Sequence, residues 1–378
     1  MSIQTLDITN IRNIAFASLK PSSDINVLYG ANGSGKTSVL EAIYMVGLAR
    51  SFRSSRIRPV IRSGQNRCVV FAQAGKAIGV ERNLGNDGFL IKVAGERVMS
   101  LAELAQLLPV QVINSDTFSL LEGTPSARRH FLDWGVFHMK QSVFFPAWKR
   151  LQKSLKQRNS LLRHGRLSSL ELASWNHAFI RSAEVIDELR QTYIEQLTPV
   201  FLRLLNELSE FDDISINYYR GWDNSVSLEE VLQAGLERDQ ISGYTHAGPQ
   251  RADIKIRLGK ISAIDRLSRG QIKLVVCALK LAQATLYSSL QDKNCLLLID
   301  DLPSELDSVH RKTLCQLLQK LACQVFITCV DKETLADCWL PGSDIRVFHV
   351  EQGQVNAVEA QTGYANCGHS ESLETEYE

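Results

Sequence analysis

The feature that most constrains this chain is a glycine-rich turn between a strand pattern and a helix pattern. The stretch VLYGANGSGKTSVLEAIY at residues 27–44 contains the pattern GxxxxGK[ST], with Lys36 and Thr37 at its end. Glycines let the backbone curl until several N–H groups point at one anion, and the following helix directs its positive end there. We therefore predict a nucleoside triphosphate site, with Lys36 at the β- and γ-phosphates and Thr37 on Mg²⁺. The predicted phosphate-binding residues are Gly30, Ala31, Asn32, Gly33, Ser34, Gly35, Lys36 and Thr37.

The stretch NCLLLIDDLPSELD at residues 294–307 supplies the acidic half of such a site. Apolar residues precede Asp300 and Asp301, which is typical of a parallel strand buried on both faces. We predict that Asp300 holds Mg²⁺ and that Asp301 orients or deprotonates an attacking water. The predicted catalytic residues are thus Lys36, Asp300 and Asp301, and the predicted metal ligands are Thr37 and Asp300.

A second helix start occurs in the stretch DRLSRGQIKLVVCALKLAQATL at residues 265–286. Ser268 and Gly270 stand directly before a helix pattern, so they present a second anion site made of a hydroxyl and backbone N–H groups. One chain with two helix ends that attract phosphate suggests a site completed by a second copy.

Length and composition limit the class of protein. A chain of 378 residues favours two domains, or one domain with a large insertion. The formal net charge is +1, so any nucleic-acid-binding surface must be a local patch. The eight cysteines form no CxxC pair and indicate buried thiols in a reducing compartment. No signal-peptide pattern and no run of about 18 apolar residues is visible, which predicts a cytoplasmic protein without a membrane segment.

The segment LSRGQ at residues 267–271 resembles the LSGGQ signature of ABC-type ATPases, and SELD at residues 304–307 resembles their D-loop. The resemblance implies that signature residues of one subunit cap the γ-phosphate bound by the opposite subunit, so that ATP joins two heads. The residues that it adds to the cofactor site are Ser268, Gly270, Gln271 and Asp307. For the Q-loop of these ATPases, Gln111 and Asn114 are both possible residues.

Four further segments, in order along the chain, resemble the RecF family of bacterial recombination mediators. They are ITNIRNI at 8–14, LARSFRSSRIRPVIR at 48–62, FSLLEGTPSARRHFLDWGVFH at 118–138 and THAGPQRADIKI at 245–256. The resemblance extends to Val350. It implies an α/β fold: an ABC-type P-loop ATPase head with an antiparallel β lobe and an inserted, mainly helical arm domain.

The resemblance also implies a function. ATP and Mg²⁺ would close a homodimer on double-stranded DNA at a gap or junction, and the dimer would help RecR and RecO load RecA during recombinational repair and replication restart. The chain departs from the family at Gln250, where histidine is common, and at Ala252, where an acidic residue is frequent. Asp301 stands where most ABC proteins have glutamate, and the shorter carboxylate predicts slow hydrolysis suited to a switch.

Periodicity predicts the domain layout. We expect an ATPase head at residues 1–120 and 243–358, a helical arm at residues 121–242, and a disordered tail at residues 359–378. Pro199 should end or bend the last arm helix. Short strand patterns, including RCVVFAQAG, FLIKVAG, ISINYY and RVFHV, predict the antiparallel lobe.

Two basic clusters are possible contacts for DNA phosphates. The first follows the P-loop helix, is interleaved with serines, and is the predicted DNA-binding set: Arg50, Arg53, Arg56, Arg58 and Arg62. The second lies on the first arm helix, where a solvated face explains it equally well: Lys149, Arg150, Lys153, Lys156, Arg158, Arg163 and Arg166. No motif for reading base sequence is visible, so binding should follow the backbone.

Other classes remain as alternatives. An ABC-type ATPase subunit coupled to a transporter or a nuclease shares the nucleotide motifs, but a transporter head would lack the long insertion, and a nuclease would need an acidic domain after Asp307. The eight histidines form no paired metal-ligand spacing. His246 adjoins one of the RecF-like segments, and its role does not follow from the sequence.

Overall fold

A computed structural model of the chain describes residues 2–85, 88–164, 169–211, 213–301, 305–321, 323–342 and 344–358. The chain divides into two compact units. Unit 1 comprises residues 1–114 and 294–378, and unit 2 comprises residues 115–293. The predicted tail at residues 359–378 lies outside the described residues.

The centre of unit 1 is a six-stranded sheet in which five neighbouring strands run parallel. Its strands are β3 (Ile25–Tyr29), β8 (Val110–Ile113), β12 (Leu296–Ile299), β13 (Gln324–Cys329), β14 (Ile345–Glu351) and β15 (Gln354–Val358), in the order β15-β14-β3-β13-β12-β8. All residues of β12 and β13 are buried, as expected for parallel strands covered on both faces.

A second six-stranded sheet of unit 1 is antiparallel throughout. It contains β1 (Thr5–Ile11), β2 (Ile14–Leu19), β4 (Arg67–Ala74), β5 (Lys76–Asn83), β6 (Phe89–Val93) and β7 (Glu96–Val98), in the order β2-β1-β4-β5-β6-β7. Alternate residues of β1 and β4 are buried, because one face of this sheet packs on the core and the other meets solvent.

Helices complete unit 1: α1 (Lys36–Leu48), α2 (Leu101–Leu107), α10 (Ser308–Lys320) and α11 (Glu333–Ala336). Helix α1 is apolar on nearly every side and lies in a hydrophobic core formed by residues of both sheets. That position fixes the start of α1, and with it the glycine-rich turn. The antiparallel lobe expected from the sequence is therefore present, and the fold class is confirmed.

Unit 2 is mainly helical. Its helices are α3 (Ser119–Glu122), α4 (Pro125–His164), α5 (Ser169–Leu208), α6 (Leu228–Ala234), α7 (Leu236–Ser242), α8 (Ala263–Arg266) and α9 (Arg269–Gln291), with 3₁₀ turns at Ser115–Phe118 and Pro249–Arg251. A three-stranded antiparallel sheet contains β9 (Ile214–Tyr219), β10 (Asp253–Leu258) and β11 (Ile261–Ser262), in the order β11-β10-β9. Helix α4 is kinked at Lys140, whose φ of −137° and ψ of 44° are not helical. It packs along the 40-residue helix α5, and α5 also packs on α9.

Unit 2 is larger than the arm predicted at residues 121–242. Its additional C-terminal part includes β10 and α9, because β10 pairs with β9 and α9 packs on α5. Two of the strands assigned to the antiparallel lobe lie elsewhere. RVFHV belongs to β14, which runs parallel to β3 in the central sheet, and ISINYY is β9 of unit 2.

Pro199 does not end helix α5, which continues for nine residues to Leu208. Phe201, Leu204 and Leu205 lie beyond the proline and are buried, so packing of this last segment offsets the lost backbone hydrogen bond. Among the helices that the structure describes, none has the length and apolar character needed to cross a membrane.

Candidate functional site

The carboxyl ends of the parallel strands in unit 1 meet at one edge of the central sheet. Tyr29 of β3 lies level with Cys329 of β13, and Ile299 of β12 lies level with Ile327 of β13 and Ile113 of β8. The glycine-rich turn after β3 and the acidic pair after β12 therefore emerge side by side. Such an edge is where open α/β sheets place their ligands.

The glycine-rich turn has the backbone that the sequence predicts. Gly30 and Gly35 have φ angles of 150° and 124°, and a Cβ on Gly30 would lie 2.1 Å from the carbonyl oxygen of Val350. Gly35 directly precedes α1, so the first N–H groups of that helix face the turn. The hydroxyl of Ser34 is buried with no hydrogen-bond partner among the described residues. The turn is thus shaped to accept an anion.

The side chain of Lys36 is folded onto the turn. Its Nζ donates hydrogen bonds to the carbonyl oxygens of Gly30, at 2.6 Å, and Ala31, at 3.1 Å. These carbonyls keep the buried ammonium group beside the space that the turn encloses. A phosphate in that space would offer the same ammonium group a charged acceptor, which makes a stronger hydrogen bond than a carbonyl does.

Asp300 contacts both the P-loop helix and the neighbouring strand. Its Oδ1 accepts hydrogen bonds from the hydroxyls of Thr37, at 3.0 Å, and Thr328, at 2.9 Å. Burial raises the pKa of Asp300, although both hydroxyls and the charge of Arg53 act in the opposite direction. The pair of Thr37 and Asp300 brings together a hydroxyl and a carboxylate at the helix start, a set of hard oxygen ligands suited to Mg²⁺.

Asp301 is exposed beside Asp300 and has a φ of 55°, in the left-handed region that aspartate tolerates better than most residues. Its backbone N–H donates to the hydroxyl of Thr328 at 2.8 Å. Thr328 therefore positions both carboxylate residues, although it belongs to none of the motifs that predict the site. The available signal was a hydroxyl residue near the end of a mostly apolar strand.

The two possible Q-loop residues occupy different places. Gln111 lies inside strand β8, level with Leu297, whereas Asn114 follows the end of that strand. The backbone N–H of Asp300 donates to the carbonyl of Ile113, so Asn114 is the residue at the level of the acidic pair. The geometry favours Asn114.

Asn13, in the turn between β1 and β2, clamps the glycine-rich turn. Its Nδ2 donates to the carbonyl of Ser34 at 2.9 Å, and its Oδ1 accepts from the hydroxyl of Ser38 at 3.1 Å. The backbone carbonyl of Asn13 accepts from Arg62 Nη1 at 2.8 Å. This asparagine thus connects the phosphate turn with the end of the first basic cluster. Asn13 lies in the segment ITNIRNI, and its role does not follow from the sequence.

Glu41 of α1 is a buried carboxylate with two partners. Arg12 donates to it through Nε, at 2.7 Å, and Nη2, at 2.8 Å, and this hydrogen bond raises the pKa of Arg12. The hydroxyl of Ser51 also donates to Glu41 and in turn accepts the backbone N–H groups of Arg53 and Ser54. The P-loop helix is therefore hydrogen-bonded to the segment that carries the first basic cluster. Nothing in the sequence pattern indicated this pairing.

We call residues 50–62 the arginine–serine segment. Arg50, Arg53, Arg56 and Arg58 are exposed on it, whereas Arg62 is half-buried and donates to Asn13. The charge of Arg53 also acts on Asp300. The segment presents four exposed guanidinium groups, and its two ends are hydrogen-bonded to the elements that form the phosphate turn.

In unit 2, the signature-like segment begins a 23-residue helix, α9. The hydroxyl of Ser268 accepts the N–H of Gln271 at 3.3 Å, and the side chain of Gln271 accepts the N–H of Ser268 at 2.9 Å. This capping box satisfies two backbone donors and holds the helix start in shape. A Cβ on Gly270 would lie 4.0 Å from the Ser268 hydroxyl, which is an ordinary contact, and Ser268 and Gly270 are both exposed, so the helix start is accessible.

Asp307 caps helix α10. Its side chain accepts the N–H groups of Val309 and His310, and these hydrogen bonds lower the pKa of its carboxyl. Ser304 lies outside the described residues. A nucleotide contact for Asp307 stays a prediction.

Unit 2 also contains the segment with the two family departures. Gln250 donates to the carbonyl of Ala247 at 2.8 Å, and Ala252 is buried. His246 Nδ1 lies 2.8 Å from Asp239, which forms an ion pair with the fully buried Arg158. These contacts hold the segment against α4 and α7, so a structural role accounts for His246.

The described residues contain no group of three histidine, cysteine, aspartate or glutamate side chains arranged to hold a metal ion. Sites for Mg²⁺ on a nucleotide commonly use one or two protein ligands and complete the shell with phosphates and water. Thr37 and Asp300 fit that arrangement. The seven cysteines in the described part of the chain are all buried thiols.

Comparison with known sequences places the chain in one family. Residues 2–356 match the family described as the RecF/RecN/SMC N terminal domain. The DNA replication and repair protein RecF of Pseudomonas entomophila (strain L48) is 53% identical over 360 residues, which cover 94% of this chain and 98% of the relative. RecF of Pseudomonas syringae pv. tomato is 52% identical over 360 residues, which again cover 94% of this chain and 98% of the relative.

Solved structures lead to the same grouping. The recombination mediator protein RecF-ATP of the RecFOR pathway has a TM-score of 0.83 and 25% identity, over 94% of this chain and 97% of that one. An SMC head bound to the C-terminal winged-helix domain of ScpA has a TM-score of 0.58 and 16% identity, over 95% and 97% of the two chains, and shows the shared fold alone. The chain therefore belongs to the RecF/RecN/SMC N terminal domain family and, within it, to the DNA replication and repair proteins of the RecF family.

Proposed function

We propose that this protein binds ATP at the carboxyl edge of the central sheet and uses it to control dimerisation on DNA. The observation that carries the proposal is the hydrogen bond between Thr37 and Asp300, which joins the glycine-rich turn to the acidic strand end. A relative in the same family has been solved as RecF-ATP. Turn, lysine, hydroxyl and carboxylate are the parts that a P-loop ATPase needs.

The roles of the residues follow from their positions. The backbone N–H groups of the turn and the start of α1 bind the phosphates, while Lys36 exchanges its two carbonyl acceptors for β- and γ-phosphate oxygens. Thr37 and Asp300 would hold Mg²⁺, which would supply charge stabilisation at the transferring phosphoryl group. Asp301 orients the attacking water, and Asn114 lies level with the acidic pair.

The dimer is the second part of the proposal. Ser268, Gly270 and Gln271 form an accessible helix start that caps the γ-phosphate bound by another copy. The resemblance to ABC-type ATPases adds Asp307 of the D-loop to the proposed nucleotide contacts. Asp301 is one methylene shorter than the glutamate common in ABC proteins, so hydrolysis is slow and acts as a switch. If Asp301→Glu turns over ATP no faster than the parent, this explanation of slow hydrolysis fails.

The DNA-binding part of the proposal rests on the arginine–serine segment. Its exposed arginines contact phosphates of duplex DNA at a gap or junction, and Ser51 and Asn13 connect the segment to the nucleotide site. With RecR and RecO, the closed dimer promotes RecA loading in recombinational repair and replication restart. This matches the relative described as a recombination mediator in the RecFOR pathway.

Sedimentation velocity tests the dimer. The parent and Ser268→Arg are compared with Mg-ATP and a gapped duplex, and Asp300→Asn serves as a hydrolysis-deficient reference. We expect the parent to become a DNA-bound dimer only with ATP, Ser268→Arg to remain monomeric, and Asp300→Asn to lose ATP turnover. If parent and Ser268→Arg dimerise alike without nucleotide, the trans-capped dimer is wrong.

A further inference from the structure

Charge is distributed very unevenly along the helices of unit 2. Between Asp133 and Glu171 the chain has eight lysines and arginines and no acidic residue, although the whole chain has a formal net charge of only +1. Most of this stretch forms α4. A helix that concentrates positive charge in a nearly neutral chain produces a strong local field, which attracts polyanions.

Two cations of this stretch have hydrogen-bonded partners elsewhere in unit 2. Arg158 is fully buried in its ion pair with Asp239, and Arg163 Nε donates to the carbonyl of Gly243. Both therefore serve the fold. Arg166 lies outside the described residues. Five other cations of this stretch are exposed. Lys140 lies at the kink of α4, and we call the remaining four the α4 cationic stripe: Lys149, Arg150, Lys153 and Lys156.

The spacing of the stripe follows the helix. The buried face of α4 includes Leu151, Ser154 and Leu162, which turns the residues at 149, 153 and 156 outward on one face. At a rise of about 1.5 Å per residue, the stripe extends about 10 Å along the helix axis. A DNA duplex presents roughly six phosphates over that length. Within the described residues, none of the four cations forms an ion pair.

The chemistry of the stripe fits nucleic acid better than protein. Protein interfaces are depleted of lysine and enriched in aromatic residues, whereas lysines predominate here and are accompanied by exposed Gln152 and Gln157. Lysine ammonium groups act as point charges that neutralise phosphates without reading the bases. The outer face of α5 differs, because its exposed Arg181 and Arg203 are interleaved with glutamates such as Glu184 and Glu188.

From these observations we propose that the α4 cationic stripe is a second DNA-binding surface, which contacts the phosphate backbone of duplex DNA independently of base sequence. The proposal rests on the proposed function, since it extends DNA binding from the arginine–serine segment of unit 1 to a helix of unit 2. It gives the inserted helical unit a role in binding that the nucleotide motifs do not explain.

The test is the salt dependence of duplex binding by the full chain with Mg-ATP. Each phosphate contact contributes about 0.9 to the slope of log affinity against log salt concentration, so Lys153→Gln with Lys156→Gln should reduce the slope by about 1.8. The matched control, Arg181→Gln with Arg203→Gln, removes the same charge from α5 and should leave the slope unchanged. An equal reduction of the slope in both variants would show a diffuse effect of charge and would contradict DNA binding by the α4 cationic stripe.

A third variant separates this inference from the function on which it rests. Arg53→Gln with Arg56→Gln removes two exposed cations of the arginine–serine segment. If this variant lowers the slope while the lysine variant keeps the slope of the parent, DNA binding by the arginine–serine segment stands. The α4 cationic stripe would then not bind DNA, and an acidic protein would be its partner instead. If neither variant changes the slope, both DNA-binding surfaces are wrong.

Discussion

At the scale of a single residue, metal binding and burial favour opposite protonation states of Asp300. Its carboxylate must remain charged to bind a metal ion, yet burial raises its pKa and so disfavours the charged form. Thr37 and Thr328 donate hydrogen bonds that offset part of this cost. The nucleotide-free protein therefore gives up stability at Asp300 to keep a charge in position, as functional sites commonly do.

This conflict predicts the behaviour of Asp300→Asn. The amide cannot hold the metal ion, so ATP hydrolysis should fall roughly a hundredfold or more. Because the pKa is raised in the folded state, the parent loses stability as the pH rises through the folded pKa of Asp300, whereas asparagine does not ionise. The nucleotide-free variant should therefore have the higher Tm at neutral pH, and the difference should shrink on acidification. Thermal unfolding across the acid-to-neutral range measures it, and a difference independent of pH would contradict the explanation.

At the scale of elements, close contact between helices depends on single glycines. A Cβ on Gly135 of α4 would lie 2.1 Å from Cζ of Tyr193 of α5, and the hydroxyl of Tyr193 accepts from Gln283 of α9 at 2.6 Å. The absence of a side chain at Gly135 thus gives space to a tyrosine that connects three helices. Helix propensity alone would favour alanine at this position.

We expect packing to outweigh propensity in Gly135→Ala. The gain in propensity is about 1 kcal/mol, whereas overpacking costs about 1–3 kcal/mol, and the displaced Tyr193 would also lose its buried hydrogen bond. The variant should have a lower Tm than the parent. In the background Tyr193→Leu, the same substitution should cost much less, because the two residues are in contact. An equal cost in both backgrounds would show that this contact does not set the requirement for glycine.

At the scale of the whole molecule, each of the two compact units carries part of the proposed site. Unit 1 holds the phosphate turn, the acidic pair and the arginine–serine segment, and unit 2 holds the signature helix and the α4 cationic stripe. In the proposed function, nucleotide binding by one chain and dimerisation by two chains are therefore separable events. Substitutions in the two units should affect different steps.

Thermal stability with nucleotide tests this separation. A ligand present at a hundredfold excess over its Kd stabilises by about 2.7 kcal/mol, which corresponds to a Tm rise of several degrees. Mg-ATP should raise the Tm of the parent and, at protein concentrations too low for dimers, the Tm of Ser268→Arg by a similar amount. Lys36→Met should lose the rise, because the methionine cannot pair with phosphate. A Ser268→Arg variant that no longer responds would mean that binding requires both chains.

The fold class and the family could be predicted from the sequence because they depend on local patterns. A glycine-rich turn, a four-residue apolar strand ending in Asp300, and a serine before a helix are each encoded by neighbouring residues, and their order along the chain is specific. The domain boundaries and the pairing partners of the strands could be predicted less well from the sequence. Whether RVFHV joins an antiparallel or a parallel sheet depends on which strand it pairs with, and the sequence of a strand does not state its partner.

The sequence by itself determined which chemical groups form the proposed phosphate site: the curled turn, the lysine, the hydroxyl and the carboxylates, since their types and spacing are local. Tertiary structure alone decided which other groups hold them in place. Asn13, Thr328 and the pair of Arg12 with Glu41 act across long separations in the chain. It also decided that Arg158 is a buried structural cation while Lys153 and Lys156 remain exposed. The physical reason is that burial and partner choice are set by packing between distant segments, and a basic residue has the same appearance in the sequence in either case.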